Sequence, residues 1–309
     1  MTISDRPEEV TPIAWVNGEI VPFATAGLPL SDLGVVAGAS ITELARTFRH
    51  QPFRLEQHLQ RLLDSVQELG FPLRFSQNDL HTAAKGVVES NRRMVAPESD
   101  LGIVIFVTAG SHSTYLKGRH SGDGTAAVHT FELPFTLWRS SLTEGVRLRI
   151  SSYRQIPSDS LPVHLKVRNR LHWWLADHEV SLKEPGSRAL LLNHSDQITE
   201  TSTSCFYAVI DGEIVTPDHD VLNSMTCRVV EELAERLGMR FRRGPVHRDQ
   251  IPDFSEAFLS STPVGLLPVR SIDEHVLNHG VPGPVYQKLT AEFSRLVGID
   301  IRNQILTQD

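Results

Sequence analysis

The chain is organised around one stretch, Leu161-Pro-Val-His-Leu-Lys166-Val-Arg-Asn-Arg-Leu-His-Trp-Trp-Leu-Ala-Asp-His-Glu179. After Lys166, residues that can share one face recur at helical spacing, which predicts an amphipathic helix from about Val167 onward. The residues of that face are Leu171, Trp174, Leu175 and His178. Lys166 would therefore stand where a strand gives way to a helix, between two packed elements.

Two interpretations of Lys166 are open at this point. Lysine side chains are almost never fully buried, so an isolated lysine at the start of a helix is most often a solvated charge. Alternatively, burial and the neighbouring cations Arg168 and Arg170 lower its pKa, so that its amine can form a Schiff base with an aldehyde. The choice depends on the rest of the chain.

The overall composition is that of an ordinary soluble globular protein. The 309 residues suffice for two modest domains or one large one, and hydrophobic and charged residues make up 40% and 22% of them. The net charge is −7, without a block of Lys and Arg that would indicate binding to nucleic acid or to an anionic membrane. We therefore expect small molecules or proteins as partners.

The cysteines and the N-terminus bear on the compartment. Only Cys205 and Cys227 are present, so neither a disulfide framework nor a cysteine-rich metal site is indicated, and a reducing cytoplasm is expected. The first residues include acids where a signal peptide has a basic and then an apolar run, and no apolar stretch approaches the length of a membrane span. Residues 1–12 are expected to form a loose tail.

Strand and helix patterns alternate in both halves of the chain. Asn17-Gly18 predicts the turn of a β-hairpin over 14–22, and an apolar stripe predicts a helix over 53–69 that ends at Gly70. Further strands are expected at 41–48, 101–108, 126–131, 146–150, 189–192, 204–210, 213–216 and 256–260, and helices at 77–91 and 226–238. This pattern predicts an α/β or α+β fold in two domains, a smaller one over 1–133 and a larger, sheet-rich one over 134–309.

Two segments carry polar groups suited to an anion or a polar ring. Arg61 follows His58 by three residues on the predicted helix over 53–69, so it could point a guanidinium at an oxyanion or be an exposed helix arginine. Ile198-Thr-Glu200-Thr-Ser-Thr-Ser204 places a carboxylate before four hydroxyl residues. It could bind a protonated ring nitrogen and an oxyanion, or be a polar turn before a strand.

Two more segments lie at the ends of predicted elements. Leu222-Asn-Ser-Met-Thr226 begins a helix, where free amides and the helix dipole favour phosphate, although Ser224 or Thr226 could equally be an ordinary N-cap. Leu259-Ser-Ser-Thr262-Pro-Val-Gly265 puts hydroxyls at the end of a strand, where loops often meet ligands. Each segment is a weak signal by itself.

Several other chemistries are disfavoured. The chain has no Gly-x-Ser-x-Gly elbow, no phosphate-loop Gly-Lys-Ser/Thr signature and no His-Glu-x-x-His helix. His275 and His279 have metal-ligand spacing, but no third ligand stands nearby in the sequence. We therefore predict surface histidines and no metal site.

Taken in order, these segments resemble the fold-type IV pyridoxal-phosphate enzymes, the class-IV aminotransferase family. The family includes branched-chain and D-amino-acid aminotransferases and aminodeoxychorismate lyase. The resemblance runs from about Trp15 to Leu289, and its motifs are Val16-Asn-Gly-Glu, His58-x-x-Arg61-Leu, Lys166, Thr199-Glu200-x-Ser-Thr-Ser, Thr216-Pro217, Met225-Thr226, Ser261-Thr262 and Gly280-Val-Pro-Gly283-Pro. Ordered agreement of this many separated motifs is specific.

The resemblance implies a pyridoxal 5′-phosphate cofactor in the cleft between the two domains of a homodimer. Lys166 would be the catalytic Schiff-base lysine and the carrier of the proton that moves in the reaction, and Glu200 would pair with the pyridine nitrogen. Arg61, Thr226 and Thr262 would hold the phosphate. The cofactor-binding residues would be Arg61, Glu200, Ser224, Met225, Thr226, Ser261 and Thr262.

Several positions depart from the family pattern and leave the substrate open. Ala37 stands where a tyrosine is common, and Ala109 stands where D-amino-acid enzymes have an arginine. Pro263 has no N–H to offer to a substrate carboxylate, whereas branched-chain enzymes have an amide there. The candidates for a replacement carboxylate ligand are Arg46, His112 and Arg168.

The leading hypothesis is an aminotransferase that acts on a small, branched-chain-like amino acid or amine and a 2-oxo acid. Because Lys166-x-x-Asn169-Arg170-Leu171 is closer to the lyase pattern, the alternative is an aminodeoxychorismate lyase that releases pyruvate and 4-aminobenzoate. A third hypothesis is a non-catalytic member of the family, motivated by the missing substrate contacts.

Overall fold

A computed structural model of the chain describes residues 11–118, 123–277 and 281–308. Residues 1–10 of the predicted tail, His279 and the motif residue Gly280 lie outside the described residues. The backbone divides into two compact units, Met1–Leu133 and Pro134–Asp309, and each is described by itself.

The first unit contains an antiparallel sheet of six strands in the order β2-β1-β6-β5-β3-β4. The strands are β1 (Ile13–Val16), β2 (Glu19–Pro22), β3 (Ser40–Phe48), β4 (Gln51–Pro52), β5 (Leu101–Thr108) and β6 (Ala126–Glu132). The predicted hairpin is confirmed, because Asn17 and Gly18 both have positive φ angles, 51° and 101°, as its two-residue turn requires.

Two long helices cover this sheet. The helices of the first unit are α1 (Leu33–Val36), α2 (Leu55–Leu69) and α3 (Gln77–Asn91). Leu55, Leu59 and Leu62 are at most 1% exposed on the face that α2 turns to the unit's core, and α2 packs against β3. Gly70 ends α2 in the left-handed conformation, as predicted.

The second unit is built on a nine-stranded sheet whose main path runs β12-β11-β10-β13-β14-β7-β8-β9. Because β9 pairs with β10 as well as with β8, six of these strands close into a ring. The strands are β7 (Val146–Ile150), β8 (Arg188–Leu192), β9 (Ile198–Thr201), β10 (Cys205–Ile210), β11 (Glu213–Thr216), β12 (Arg240–Arg243), β13 (Glu256–Ser261), β14 (Gly265–Ile272) and β15 (His275–Val276).

Among its described residues, the second unit has five α-helices: α4 (Arg139–Glu144), α5 (Leu171–Lys183), α6 (Met225–Arg236), α7 (Pro284–Val297) and α8 (Ile301–Thr307). Short 3₁₀ helices in the two units span Phe23–Thr25, Arg92–Met94, Ser113–Leu116, Phe135–Trp138 and Arg248–Asp253. In the part of the chain that the structure describes, no helix is both long and apolar enough to cross a membrane.

The prediction for the helix after Lys166 was wrong in its start and in its buried face. The helix begins at Leu171, and residues 167–170 lie outside it. Trp173, Ala176 and Val180 pack against β8, whereas Leu171 and Trp174 of the predicted core face are 63% and 60% exposed. Both faces are apolar at helical spacing, and the one that carries the small Ala176 lies on the sheet.

The segment around Glu200 also differs from its prediction. Glu200 lies within β9 rather than in a bend, and the chain turns only at residues 202–203, where the Thr201 amide donates to the Ser204 carbonyl at 3.0 Å. The pairing of Glu200 with Cys205 of β10 extends this tight turn into a ladder. Strand pairing therefore gives this carboxylate a rigid backbone.

Candidate active site

Glu200 is a buried carboxylate on the closed ring of strands. Its side chain is 8% exposed, and Oε1 accepts a hydrogen bond from the Leu222 amide at 3.2 Å and lies 3.5 Å from Gln155 Nε2. Thr199 and Glu200 also line a cavity of about 180 Å³ with His164, so side chains do not fill this part of the unit. The carboxylate is held by its neighbours and borders open space.

Burial raises the pKa of Glu200 to about 7, although the Leu222 amide and the charges of Lys166 and Arg170 act to lower it. Lys166 is half-buried and lies within electrostatic reach of this carboxylate. The structure thus brings together the predicted catalytic lysine and the predicted partner of a ring nitrogen.

Sequence reasoning missed the side chains behind Glu200. Gln155 is 2% exposed, its Nε2 donates to the Asp220 carbonyl at 3.0 Å, and its Oε1 accepts from the Ile156 amide at 3.0 Å. The amide orientation is therefore set, so His172 Nε2, 3.1 Å from Oε1, must carry the proton. Burial and the nearby Arg170 lower the pKa of His172 to about 4, which keeps it neutral.

The N-terminus of α6 and the turn after β13 form a second cluster. Thr226 Oγ1 lies 3.2 Å from Thr262 Oγ1, although the two residues are far apart in sequence. Ser224 is the N-cap of α6, its hydroxyl accepts from the Cys227 amide at 3.4 Å, and no acidic residue stands in the first turn. Free amides, the helix dipole and paired hydroxyls suit an anion such as phosphate.

The remaining cofactor-binding candidates lie beside this cluster. Met225, the first residue of α6, is 4% exposed, and Ser261 ends β13 opposite Gly265 of β14. Ser204 Oγ, in the run of hydroxyls after Glu200, is buried without a hydrogen-bond partner among the described residues. A buried acid, an unsatisfied hydroxyl and a helix end suited to an anion fit a ligand with a basic ring and a phosphate.

Arg61 belongs to the first unit, where it pairs with a residue that the sequence did not single out. Its Nε and Nη2 donate to the two carboxylate oxygens of Glu43, each at 2.6 Å, and His58 Nδ1 lies 2.7 Å from Oε2. Burial acts to raise the pKa of Glu43, but His58 and Arg61 outweigh it and hold that pKa at about 2. The signal that could have identified Glu43 in the sequence is that it is the one acidic residue of the nine-residue strand β3.

Arg46 does not fit its predicted role as a carboxylate ligand. Its side chain is 1% exposed, its guanidinium lies 3.5 Å from Asp100 and it stacks on Phe48 at 4.0 Å. Burial lowers its pKa to about 10 despite Asp100. Because its side chain is buried inside the first unit, a substrate cannot reach it without unpacking the sheet, and Asp100 already pairs with its charge.

The roles of the other substrate candidates stay predictions. Ala37 is exposed at the C-terminal end of α1, and Arg168 is exposed two residues after Lys166. His112 Nδ1 accepts from the Thr114 amide at 3.2 Å, and Pro263 follows Thr262 in the turn before β14. None of these positions is packed into a core.

The model of the family Amino-transferase class IV matches residues 40–272, most of the chain. The chain belongs to the class IV aminotransferases. The fold-type IV architecture expected from the motifs is confirmed, because solved aminotransferases share it.

Curated relatives of this class IV aminotransferase include two named activities. A D-alanine aminotransferase of Bacillus licheniformis is 26% identical over 278 residues, which cover 87% of this chain and 91% of the relative. A probable branched-chain-amino-acid aminotransferase of Rickettsia conorii is 24% identical over 260 residues, covering 84% and 86%.

Solved structures give the same fold. The branched-chain amino acid aminotransferase of Escherichia coli matches with a TM-score of 0.85 at 24% identity, covering 93% of this chain and 95% of the other. The branched-chain amino acid aminotransferase of Thermobaculum terrenum, solved in its PLP-bound form, matches with a TM-score of 0.80 at 25% identity, covering 96% and 97%.

Proposed function

We propose that this aminotransferase moves an amino group between a small, branched-chain-like amino acid or amine and a 2-oxo acid, with pyridoxal phosphate as cofactor. The observation that carries the proposal is the buried Glu200 within electrostatic reach of Lys166, in the same unit as the Thr226–Thr262 hydroxyl pair at the N-terminus of α6. Relatives named for D-alanine and for branched-chain amino acids support a small aliphatic substrate.

Lys166 supplies the amine. Bound pyridoxal phosphate supplies an aldehyde for that amine and a ring that withdraws electrons from the α-carbon of the substrate. Lys166 Nζ would accept the proton from the α-carbon of the substrate and deliver it to the aldehyde carbon of the cofactor, a role that suits a half-buried amine within electrostatic reach of a carboxylate.

Glu200 sets the charge of the ring nitrogen. With a pKa of about 7 in the protein alone, it changes charge readily near neutrality and is ionised when a cationic N–H is its partner. Gln155 and the Leu222 amide both bind Oε1 of Glu200. We therefore assign the other oxygen, Oε2, to the ring nitrogen of the cofactor.

The phosphate is assigned to the N-terminus of α6 and the turn after β13. Thr226 and Thr262 would donate hydroxyls to it, and the first amides of α6 would donate N–H groups. Arg61, a residue of the first unit, stays the predicted guanidinium ligand of the phosphate. Ser224, Met225 and Ser261 complete this set; the Ser224 hydroxyl also caps the helix. The exposed Arg168 and the half-buried His112 remain alternative candidates for binding the substrate carboxylate.

Absorbance of the purified protein tests the proposal. We expect a visible band from the lysine-bound cofactor that bleaches with an amino donor and returns with a 2-oxo acid. Lys166→Ala should lack the band. A donor panel with both enantiomers of small amino acids defines the substrate, and no bleaching by any of them would contradict the proposal.

The lyase alternative rests on Asn169-Arg170-Leu171 after Lys166. The same protein would then release pyruvate from aminodeoxychorismate without any 2-oxo acid. Pyruvate release together with the absence of bleaching by amino acids would select the lyase.

A homodimer is proposed because one face of α5 is apolar and exposed. Leu171, Trp174 and Leu182 lie on this face with 63%, 60% and 73% of their surface exposed. Several large apolar side chains exposed on one face of a helix are typical of an interface. Trp174→Arg should lower the dimer fraction in light scattering, whereas Leu137→Arg, at an exposed site outside α5, should not. A monomeric parent protein would contradict the assignment.

A reducing, cytoplasmic setting is part of the same proposal. Cys205 and Cys227 are both buried free thiols, and cysteines that form no disulfide are typical of proteins from a reducing compartment.

A further inference from the structure

Glu43 is an acid in the interior of the first unit. It lies in the middle of β3, is 1% exposed and faces one turn of α2. Three hydrogen-bond contacts surround its carboxylate: Arg61 Nε at 2.6 Å, Arg61 Nη2 at 2.6 Å and His58 Nδ1 at 2.7 Å. A buried carboxylate is tolerated only with partners of this kind.

The two bonds from Arg61 fix its guanidinium in one plane. Nε and Nη2 bind different oxygens of Glu43, which is the bidentate arrangement that adds geometric specificity to an ion pair. Arg61 is 11% exposed and His58 only 3%, so Arg61 is the member of the group that a ligand can reach.

We propose that Glu43 is a positioning residue for phosphate binding, which holds the Arg61 guanidinium ready for the phosphate of the cofactor. This inference rests on the proposed role of Arg61. A long arginine side chain loses rotamer freedom when it binds a ligand, and Glu43 imposes most of that order before the ligand arrives.

Two effects of Glu43 on phosphate binding have opposite signs. Its negative charge offsets the positive charge of Arg61, so removal of that charge should strengthen the attraction for an anion. Loss of the bidentate bonds should instead let Arg61 reorient and weaken binding. The positioning role predicts that the second effect is the larger one.

The experiment compares the affinity of the cofactor-free protein for pyridoxal phosphate and for pyridoxal, which lacks the phosphate. Glu43→Gln should lower the affinity for pyridoxal phosphate about tenfold and leave that for pyridoxal within about twofold, since ordering one side chain corresponds to about tenfold. Arg61→Met should cause at least the same loss. The double variant should be no weaker than Arg61→Met alone, because Glu43 acts through Arg61.

Asn91→Ala is the matched control. Asn91 is 3% exposed in the same unit and binds Ile13 and Thr130, so its loss disturbs the fold without touching Arg61. It should leave the ratio of the two affinities unchanged. Should Glu43→Gln not fold, Glu43→Asp retains the charge but shortens the reach, and a loss in the same direction is expected.

An unchanged or increased preference for pyridoxal phosphate in Glu43→Gln, or additive losses in the double variant, would overturn the positioning role. If Arg61→Met also keeps the preference, the proposed phosphate role of Arg61 fails. If the parent protein binds pyridoxal phosphate no more tightly than pyridoxal, the proposed phosphate site itself is wrong. The three results are distinguishable in one set of titrations.

Discussion

Replacing Glu200 by glutamine should stabilise the cofactor-free protein at high pH. Glu200 is 8% exposed, and burial raises its pKa to about 7 from 4.5 for an ordinary glutamate. Glutamine has nearly the same shape and no charge to bury. The variant therefore isolates the free energy that the folded protein loses when this carboxyl ionises.

The magnitude follows from these two pKa values. One pH unit corresponds to about 1.4 kcal/mol, so a pKa of about 7 against 4.5 gives about 3 kcal/mol. Between the two values the folded protein holds a proton that the unfolded chain has released, and stability therefore falls as the pH rises. The contribution is fully present below 4.5 and is lost above about 7.

Urea unfolding of both cofactor-free proteins measures this difference. The two should have similar stability near pH 4.5, whereas at about pH 8.5 Glu200→Gln should be more stable by about 3 kcal/mol. Glu235→Gln, the same chemical change at an exposed position of α6, is the control. Added pyridoxal phosphate should favour the parent protein, since an ionised Glu200 then has a ring N–H partner.

Parallel pH profiles for the parent protein and Glu200→Gln would refute the reasoning. That result would mean that Lys166, Arg170 and the Leu222 amide together offset the cost of burial, so that the carboxylate is already ionised at neutral pH. An ionised Glu200 would then be ready to bind the cofactor without lowering the free energy of unfolding of the cofactor-free protein.

Three further predictions concern buried groups. Gln155→Leu should shift the pH at which the bound cofactor changes its absorbance, since Glu200 loses its amide neighbour. The same pH dependence of the absorbance in the variant and in the parent protein, from roughly pH 5 to 9, would contradict this. Glu256→Ala should lower the free energy of unfolding by about 1–3 kcal/mol, because Glu256 accepts the Val285 and Tyr286 amides at the start of α7; urea unfolding measures it. Leu62→Ala, at a site 1% exposed in α2, should cost about 2–5 kcal/mol in the same assay, and a smaller loss would mean that the core collapses around the gap.

Elements with strong local signals could be predicted well from the sequence. The helix over 77–91 was predicted with the bounds of α3, where Ser76 and Asp79 form a capping box. The hairpin at Asn17-Gly18 depended only on two residues that tolerate positive φ. These signals act over a few residues, so they do not depend on what packs against them.

Predictions that depended on distant neighbours failed or were not made. Either face of α5 could have been buried, and only the surface of β8 selected the face with Ala176. Arg46 looked like a ligand until Asp100, far away in sequence, proved to neutralise it. Glu43 and Gln155 belonged to no motif and are informative only through the side chains beside them.

The sequence by itself determined the family and its set of reactive groups, since a lysine, a carboxylate and hydroxyl-rich turns can be recognised by residue type and order. Only the tertiary structure decided which groups are charged, paired or reachable. Strand pairing buries Glu200 and raises its pKa, the turn after β13 brings Thr262 to Thr226, and Glu43 aligns Arg61. Electrostatic energies depend on distance and burial, and both are set by contacts between segments far apart in the chain.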